Sequence, residues 1–232
     1  MDTVLVIPDL HAPGHLEHFI DFMDDTAYRF KPTKIVCLGD LIDFHYISRH
    51  PTEPSAMNPL QELEAAKAEL KRWVSLFPEV SVCFGNHDDI PVRQAATLGM
   101  PREMIVPLNE LLGLPDTWQW ANAWEIDNVV YEHGIGSTGM YGCKRTANAY
   151  RRSYVQGHTH SNAGVFYLDG PMDTIFGMNV GCGMDYYKYF AKYGRSIFKT
   201  KPSIGCGVVI DGREAHYIPM DLKKYGEKEI RL

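Results

Sequence analysis

No cysteine in this chain stands in a C-x-x-C pair. The five (Cys37, Cys83, Cys143, Cys182, Cys206) are scattered, mostly inside apolar runs, so neither a disulfide framework nor a structural zinc cage is expected. They read as reduced core thiols, which suits a cytoplasmic compartment. No apolar run approaches the ~20 residues of a membrane span. The N-terminal MDTVLVIPDLH lacks a basic region and soon reaches Asp9 and His11, so no secretory signal is expected either. Positive charge is not in excess: 23 Lys and Arg face 29 Asp and Glu, a net charge of −6, which argues against a globally basic nucleic-acid binder. There is no internal repeat, low-complexity tract or Gly/Ser linker. With 45% hydrophobic and 22% charged residues over 232 positions, the composition is that of a folded chain and excludes disordered or collagen-like classes. What the chain has in abundance is histidine. There are ten, twice the number of cysteines, and histidine is both the commonest metal ligand and the usual acid–base group.

Hydrophobic patterning predicts strands at 4–7, 34–38 and 80–84, alternating with helices at 16–30, after Asn58, and at 90–98. Asn58 has the signature of an N-cap, with Pro59 next and Gln61 three residues on. Strand–helix–strand alternation of this kind predicts parallel βαβ units. The second half is richer in strands, predicted at 124–126, 129–132, 154–156, 165–168, 174–179, 205–210 and 215–218. Asp127-Asn128 and Asp211-Gly212 are expected two-residue hairpin turns. The pattern is that of one α/β domain with two sheets packed face to face.

Five polar clusters follow predicted strands: Pro8-Asp9-Leu10-His11, Gly39-Asp40-Leu41-Ile42-Asp43, Gly85-Asn86-His87-Asp88, His133-Gly134 and Gly157-His158-Thr159-His160. The carboxyl edge of an α/β sheet is where ligands bind, so five such clusters would converge on one site. Their Asp, Asn and His donors, without sulfur, suit divalent ions such as Mn²⁺, Fe, Zn²⁺ or Ni²⁺. Taken singly, a Gly-Asp or Gly-Asn is an ordinary turn and a histidine after a strand an ordinary structural residue; the force lies in the complete ordered set.

That set, D-x-H, G-D-x-x-D, G-N-H-D, H and G-H-x-H, resembles the calcineurin-like metallophosphoesterase superfamily from Asp9 to His160. The resemblance implies a single-domain, four-layer α/β/β/α sandwich with two mixed sheets over residues 1–232. It also implies a dinuclear centre in which Asp9, His11 and His160 hold one ion, Asn86, His133 and His158 hold the other, and Asp40 bridges them. Mn²⁺ is the leading ion, with Fe, Zn²⁺, Ni²⁺ or Mg²⁺ as alternatives. The implied reaction is phosphodiester hydrolysis by in-line attack of a hydroxide generated at the two ions, which such sites hold ~3.5–4 Å apart. His87 would protonate or stabilise the leaving oxygen, Asp88 would orient its imidazole, and Asp43 would support the site as a hydrogen-bonding partner; these three form the candidate catalytic set.

Two departures bear on substrate. Phe44 follows Asp43, and Asp88 follows His87, where the protein-phosphatase branch has Arg and Glu; the pattern looks more like the nucleotide phosphodiesterase and nuclease branches and small phage-encoded phosphoesterases. Residues 45–58 would cap the site and bring His45, Arg49 and His50 to substrate, or serve as a plain connection. Residues 186–201 interleave aromatics with Lys188, Lys192, Arg195, Lys199 and Lys201 and contain no acid. That composition fits a nucleic-acid backbone-tracking surface, and equally a solvated amphipathic helix or a homodimer contact. Lys144, Arg145, Arg151 and Arg152 would extend it. The alternatives to a diesterase on nucleic acid or nucleotides are a phosphomonoesterase and a non-catalytic partner-binding scaffold. His15, His18 and His216 are expected to be surface or packing residues.

Overall fold

In the computed structural model, residues 1–49, 53–192 and 200–230 are described. The chain opens with strand β1 (Thr3–Ile7), helix α1 (Phe19–Phe30), β2 (Lys34–Cys37), α2 (Pro59–Leu76), β3 (Val80–Cys83) and α3 (Ile90–Thr97). A short α4 (Leu108–Leu112) leads to β4 (Trp118–Ala121), β5 (Ala123–Ile126) and β6 (Val129–Glu132). Then follow α5 (Gly142–Tyr150), β7 (Ser153–Gln156), β8 (Gly164–Asp169), β9 (Thr174–Asn179), β10 (Gly205–Ile210) and β11 (Glu214–Pro219).

The strands form two mixed sheets, ordered β11-β10-β1-β2-β3-β4 and β5-β6-β7-β9-β8. As the alternation predicts, β1, β2 and β3 are parallel. In the second sheet β6, β7 and β9 are parallel. Period-two alternation sorts each strand between two cores. Val4, Val6, Val36 and Leu38 face the second sheet and meet Val129, Tyr131, Val155 and Met178. Leu5, Ile7 and Cys37 face the helices and meet Phe19, Met23, Leu70 and Trp73. On the far side, Cys143 and Ala147 of α5 pack on Tyr154 and Ile175. The order is therefore helix, sheet, sheet, helix: a four-layer α/β/β/α sandwich.

Local chemistry explains the elements. Asn58 accepts from the Gln61 N–H while the Gln61 side chain accepts from the Asn58 N–H, a reciprocal cap that is typically worth about 1 kcal/mol. From there α2 buries Glu62, Ala66, Leu70 and Trp73, spaced three or four residues apart along one stripe. The Asp127-Asn128 turn is the expected two-residue hairpin, both residues at positive φ (49° and 62°). The second hairpin differs: Ile210 pairs with Glu214, so Asp211, Gly212 and Arg213 form a three-residue loop. Helix α1 starts at Phe19 rather than Leu16, because the Leu16 N–H donates to the Gly183 carbonyl and the chain is still turning. Helices α4 and α5 and strand β4 have no counterpart in the sequence reading. All five cysteines are buried and unpaired. No helix among the described residues is long and apolar enough to cross a membrane.

Candidate metal centre

Each ligand-bearing segment leaves the carboxyl end of a parallel strand: β1 leads to Asp9 and His11, β2 to Asp40, β3 to Asn86 and His87, β6 to His133, and β7 to His158 and His160. The edges of both sheets meet here. Extension of the β1–β2 pairing, His11 N–H to Asp40 O (2.8 Å) and Ala12 N–H to Leu41 O (2.9 Å), fixes the first two segments against each other. His11, Asp40 and His158 all have positive φ (52°, 45° and 61°), a conformation that costs energy for residues with a Cβ and collects at functional sites. Two glycines are demanded by close approach. A Cβ on Gly157 would overlap the Asp9 carboxylate, and one on Gly85 would overlap Asp40.

Among the described residues the donors form three groups, each with its ligand atoms within 4.8 Å of one another: Asp9, His11, Asp40 and His160; Asp40, His133 and His158, which shares Asp40 with the first; and His11, Asp43 and His87, which shares His11 with it. In the first, His160 Nε2 lies 3.2 Å from Asp9 Oδ2 and 3.1 Å from His11 Nε2. In the second, His133 Nε2 lies 3.4 Å from Asp40 Oδ2, 3.2 Å from His158 Nδ1 and 3.0 Å from Asn86 Oδ1. All seven expected ligands are thus in one cluster, with Asp40 between the two halves. Asp9, His11, Asp40 and His133 are almost fully buried.

The chemistry of this donor set fits divalent cations. Asp9 Oδ1 is buried with no hydrogen-bond partner, a state that is costly unless something electropositive sits against it. Burial alone would push His133 down, yet the Asp40 and Asp9 carboxylates hold it up at about 10. Burial likewise works against ionised Asp40, but His133 and His87 keep its carboxyl well below the usual range. His11 and His158, by contrast, are pushed down, chiefly by burial. Hydrogen bonds behind the ligands aim them: His11 Nδ1 to Asp43 Oδ1 (2.7 Å), and His133 Nδ1 to Leu38 O (2.9 Å), leave both Nε2 atoms facing Asp40.

His87 stands beside this cluster, its ring 4.6 Å from that of His11. Its backbone N–H donates to Asp40 Oδ1 (2.7 Å) and its Nδ1–H donates to the Asp43 carbonyl (2.6 Å). Burial pulls the imidazole down, but Asp40 and Asp43 outweigh it and raise its pKa. The orienting group for His87 is therefore Asp43, not Asp88 as the sequence suggests. The Asp88 carboxylate instead accepts the Gly85 and Leu41 N–H groups (2.9 and 3.0 Å), tying the third segment to the second. Burial, with the nearby Asp40 charge, raises the Asp88 pKa to about 7.

A cavity of about 590 Å³ opens over the centre. His11, Asp43, His87, His158 and His160 line its floor, and His45, Met184, Tyr186, Phe190 and Pro202 are among its walls. Of the expected substrate residues, His45 is there, buried. Arg49 is exposed and away from the lining, and His50 and Arg195 lie outside the described residues. Part of the expected cationic surface is engaged within the chain, and Arg195 and Lys199 lie outside the described residues. Lys188 Nζ donates to the Pro13 and His15 carbonyls (3.2 and 2.8 Å), and Lys192 Nζ pairs with Glu53 Oε2 at 2.6 Å. Arg151 pairs with Asp173 and Arg152 with Glu125. Thr138, Gly139, Ser161 and Asn162 also line the cavity and were missed; the glycine-rich run after His133 was the available signal. His15 is buried, while His18 and His216 are largely exposed, as expected.

A four-layer sandwich thus gathers seven N and O donors, a set suited to divalent cations, at the meeting edges of its sheets. The calcineurin-like phosphoesterase family profile matches residues 3–170, and the chain belongs to that family. No curated protein matches it in sequence. Among solved structures it is similar to the phosphoesterase Yfce from E. coli (15% identity, 90% of this chain and 88% of that one, TM-score 0.45). It is also similar to the nuclease MPE from Pseudomonas putida (15%, 94% and 87%, TM-score 0.42) and to Vacuolar Protein Sorting 29 from Cryptosporidium parvum (13%, 90% and 85%, TM-score 0.45).

Proposed function

We propose that this chain hydrolyses small phosphodiesters of the nucleotide type. The observation that supports it most is the lining of the cavity over the donor cluster, which among the described residues contains no Lys or Arg. A phosphomonoester is close to a dianion at neutral pH, its second pKa being about 6, and its extra charge calls for a guanidinium or ammonium clamp. A diester carries a single charge and a second substituent. Histidines and hydroxyls, with about 590 Å³ of room, suit that anion better. A polymer would want a basic track, and Lys188 and Lys192 are engaged elsewhere.

Asp9, His11 and His160 would hold one ion, Asn86, His133 and His158 the other, with Asp40 shared; the sulfur-free carboxylate and imidazole donors suit Mn²⁺, Fe, Zn²⁺ or Ni²⁺, and Mn²⁺ is the ion we propose. Bound there, the ions would polarise the phosphoryl oxygens and supply a nucleophile at neutral pH. The protein's own part is orientation and proton transfer. Asp43 accepts from His11 Nδ1 and through its carbonyl from His87 Nδ1, so one residue sets both a ligand and the acid. With Nδ1 tied back, His87 Nε2 is left to give its proton to the leaving oxygen, and the neighbouring carboxylates raise the pKa of that imidazole. Five buried thiols agree with a cytoplasmic setting.

Steady-state kinetics of the Mn²⁺-loaded protein on bis(p-nitrophenyl) phosphate and p-nitrophenyl phosphate test this reading. The expected kcat/KM ratio favours the diester by about tenfold or more, one such factor corresponding to 1.4 kcal/mol of discrimination. Equal rates, or a preference for the monoester, would contradict it, and no turnover of either would favour the scaffold.

A further inference from the structure

Glu62 is a buried acid that the proposed chemistry does not use. It sits in the first turn of α2 with only 3% of its surface exposed. A carboxylate is costly to bury unless its oxygens are met. Here both are: Oε1 accepts the His45 N–H (2.7 Å) and Oε2 accepts the Tyr46 N–H (3.3 Å). Those two amides open a 3₁₀ turn at His45–Ile47, and an ionised acceptor holds them more strongly than a neutral one. The far end of the turn is tied as well, since Gln94 Nε2 donates to the Ile47 carbonyl (2.7 Å).

Immediately before the turn, Phe44 is left-handed (φ 50°, ψ 38°). That conformation costs energy for a residue with a Cβ and persists only where its surroundings hold it. On the Asp43 side the hold is the Asp43 N–H, which donates to the Ala12 carbonyl (3.2 Å). On the other side it is Glu62. The peptide joining Asp43 to Phe44 carries the carbonyl that accepts from His87 Nδ1 at 2.6 Å. Its direction is set by the torsions that flank it, so a Phe44 released to the right-handed or extended region turns that carbonyl away from the imidazole.

We infer that Glu62 is a positioning residue for His87: by holding the His45 and Tyr46 amides it keeps Phe44 left-handed and the Asp43 carbonyl on the His87 Nδ1–H. Its effect on turnover rests on the proposed activity and the acid role of His87; its effect on the imidazole does not. Glu62 is not among the residues that line the cavity, whereas His87 is, so the influence passes through the backbone of 43–46. A carboxylate suits this task better than an amide of the same size. Its two oxygens meet two adjacent N–H groups, while glutamine offers one oxygen and turns an NH₂ toward the other amide.

In the metal-free protein, exchange of the His87 Nδ1 proton with water is followed by ¹⁵N-resolved NMR. It is expected to quicken about tenfold in Glu62→Ala, and by a smaller factor in Glu62→Gln, which keeps one acceptor. In the Mn²⁺-loaded protein, Glu62→Ala should lower diester kcat about tenfold with metal content unchanged, and Glu62→Gln should recover part of that loss. In a His87→Ala background either substitution should cost less than about twofold, because the group being positioned is gone. Glu62→Gln is nearly isosteric and decides alone should Glu62→Ala fold poorly. Unchanged exchange in the folded variants, or a loss of kcat as large without the imidazole as with it, would overturn the positioning role. Quickened exchange with kcat unaltered supports the positioning and contradicts the acid role of His87. Quickened exchange with no diester hydrolysis by the wild-type protein supports the positioning and contradicts the proposed activity. Hydrolysis with unchanged exchange overturns the positioning alone.

Discussion

Asp40→Ala should abolish metal retention and lower diester kcat/KM by more than about 10³-fold, several kcal/mol of charge stabilisation at tenfold per 1.36 kcal/mol. Asp40 is common to the group with Asp9, His11 and His160 and the group with His133 and His158, so its loss weakens both expected ion sites together. A change at His160 or His158 would weaken one. The substitution also has a signature in the metal-free protein. His133 is held at about 10 against its own burial chiefly by Asp40. Without that carboxylate the burial penalty regains ground, and NMR titration should show the His133 pKa falling from about 10 toward the ordinary 6.5 or below. An Asp40→Ala protein that keeps its metals, or whose His133 stays near 10, would contradict the shared role.

His87→Ala should leave metal content unchanged and cut turnover by about 10²- to 10⁴-fold, the usual range for a general acid. Metal is kept because the link from this residue to Asp40 is its backbone N–H, which alanine retains. The imidazole alone is lost, and with it the Nε2 proton that the Nδ1–Asp43 contact leaves free for the leaving oxygen. The loss should be greater for diesters with alkoxide leaving groups than for p-nitrophenyl esters, since nitrophenolate departs without protonation. Full activity, or loss of metal, would refute the acid role. A uniform loss across leaving groups would point to charge stabilisation instead.

The gathering of the donor residues is legible in the sequence because their chemistry admits few substitutes. Carboxylates, an amide and imidazoles at strand ends announce a cation site, and parallel strands bring those ends together. Strands such as β1 and β9 were equally plain from their apolar runs, and the Asn58 cap from its local pairing with Gln61. The misses have a common physical cause, dependence on partners far along the chain. Lys188 and Lys192 look like free cations until His15 and Glu53, 173 and 139 residues away, appear beside them. Asp88 looks like the partner of its neighbour His87, but backbone amides at Gly85 and Leu41 claim its carboxylate. Strand β4 has four residues and is specified by pairing with β3, in which Val80 lies opposite Trp118, rather than by a pattern of its own. Helix α5 carries few apolar residues, and its seat against β9 depends on Gly177, where a Cβ would press on the Cys143 carbonyl.

One chain is expected to hold two ions through a shared Asp40. The direct test is metal content per chain after Mn²⁺ reconstitution and removal of excess ion, read together with diester turnover. Two equivalents per chain are expected, with turnover following the second, and chelation should abolish it. Saturation at one equivalent, or turnover that survives chelation, would contradict the account.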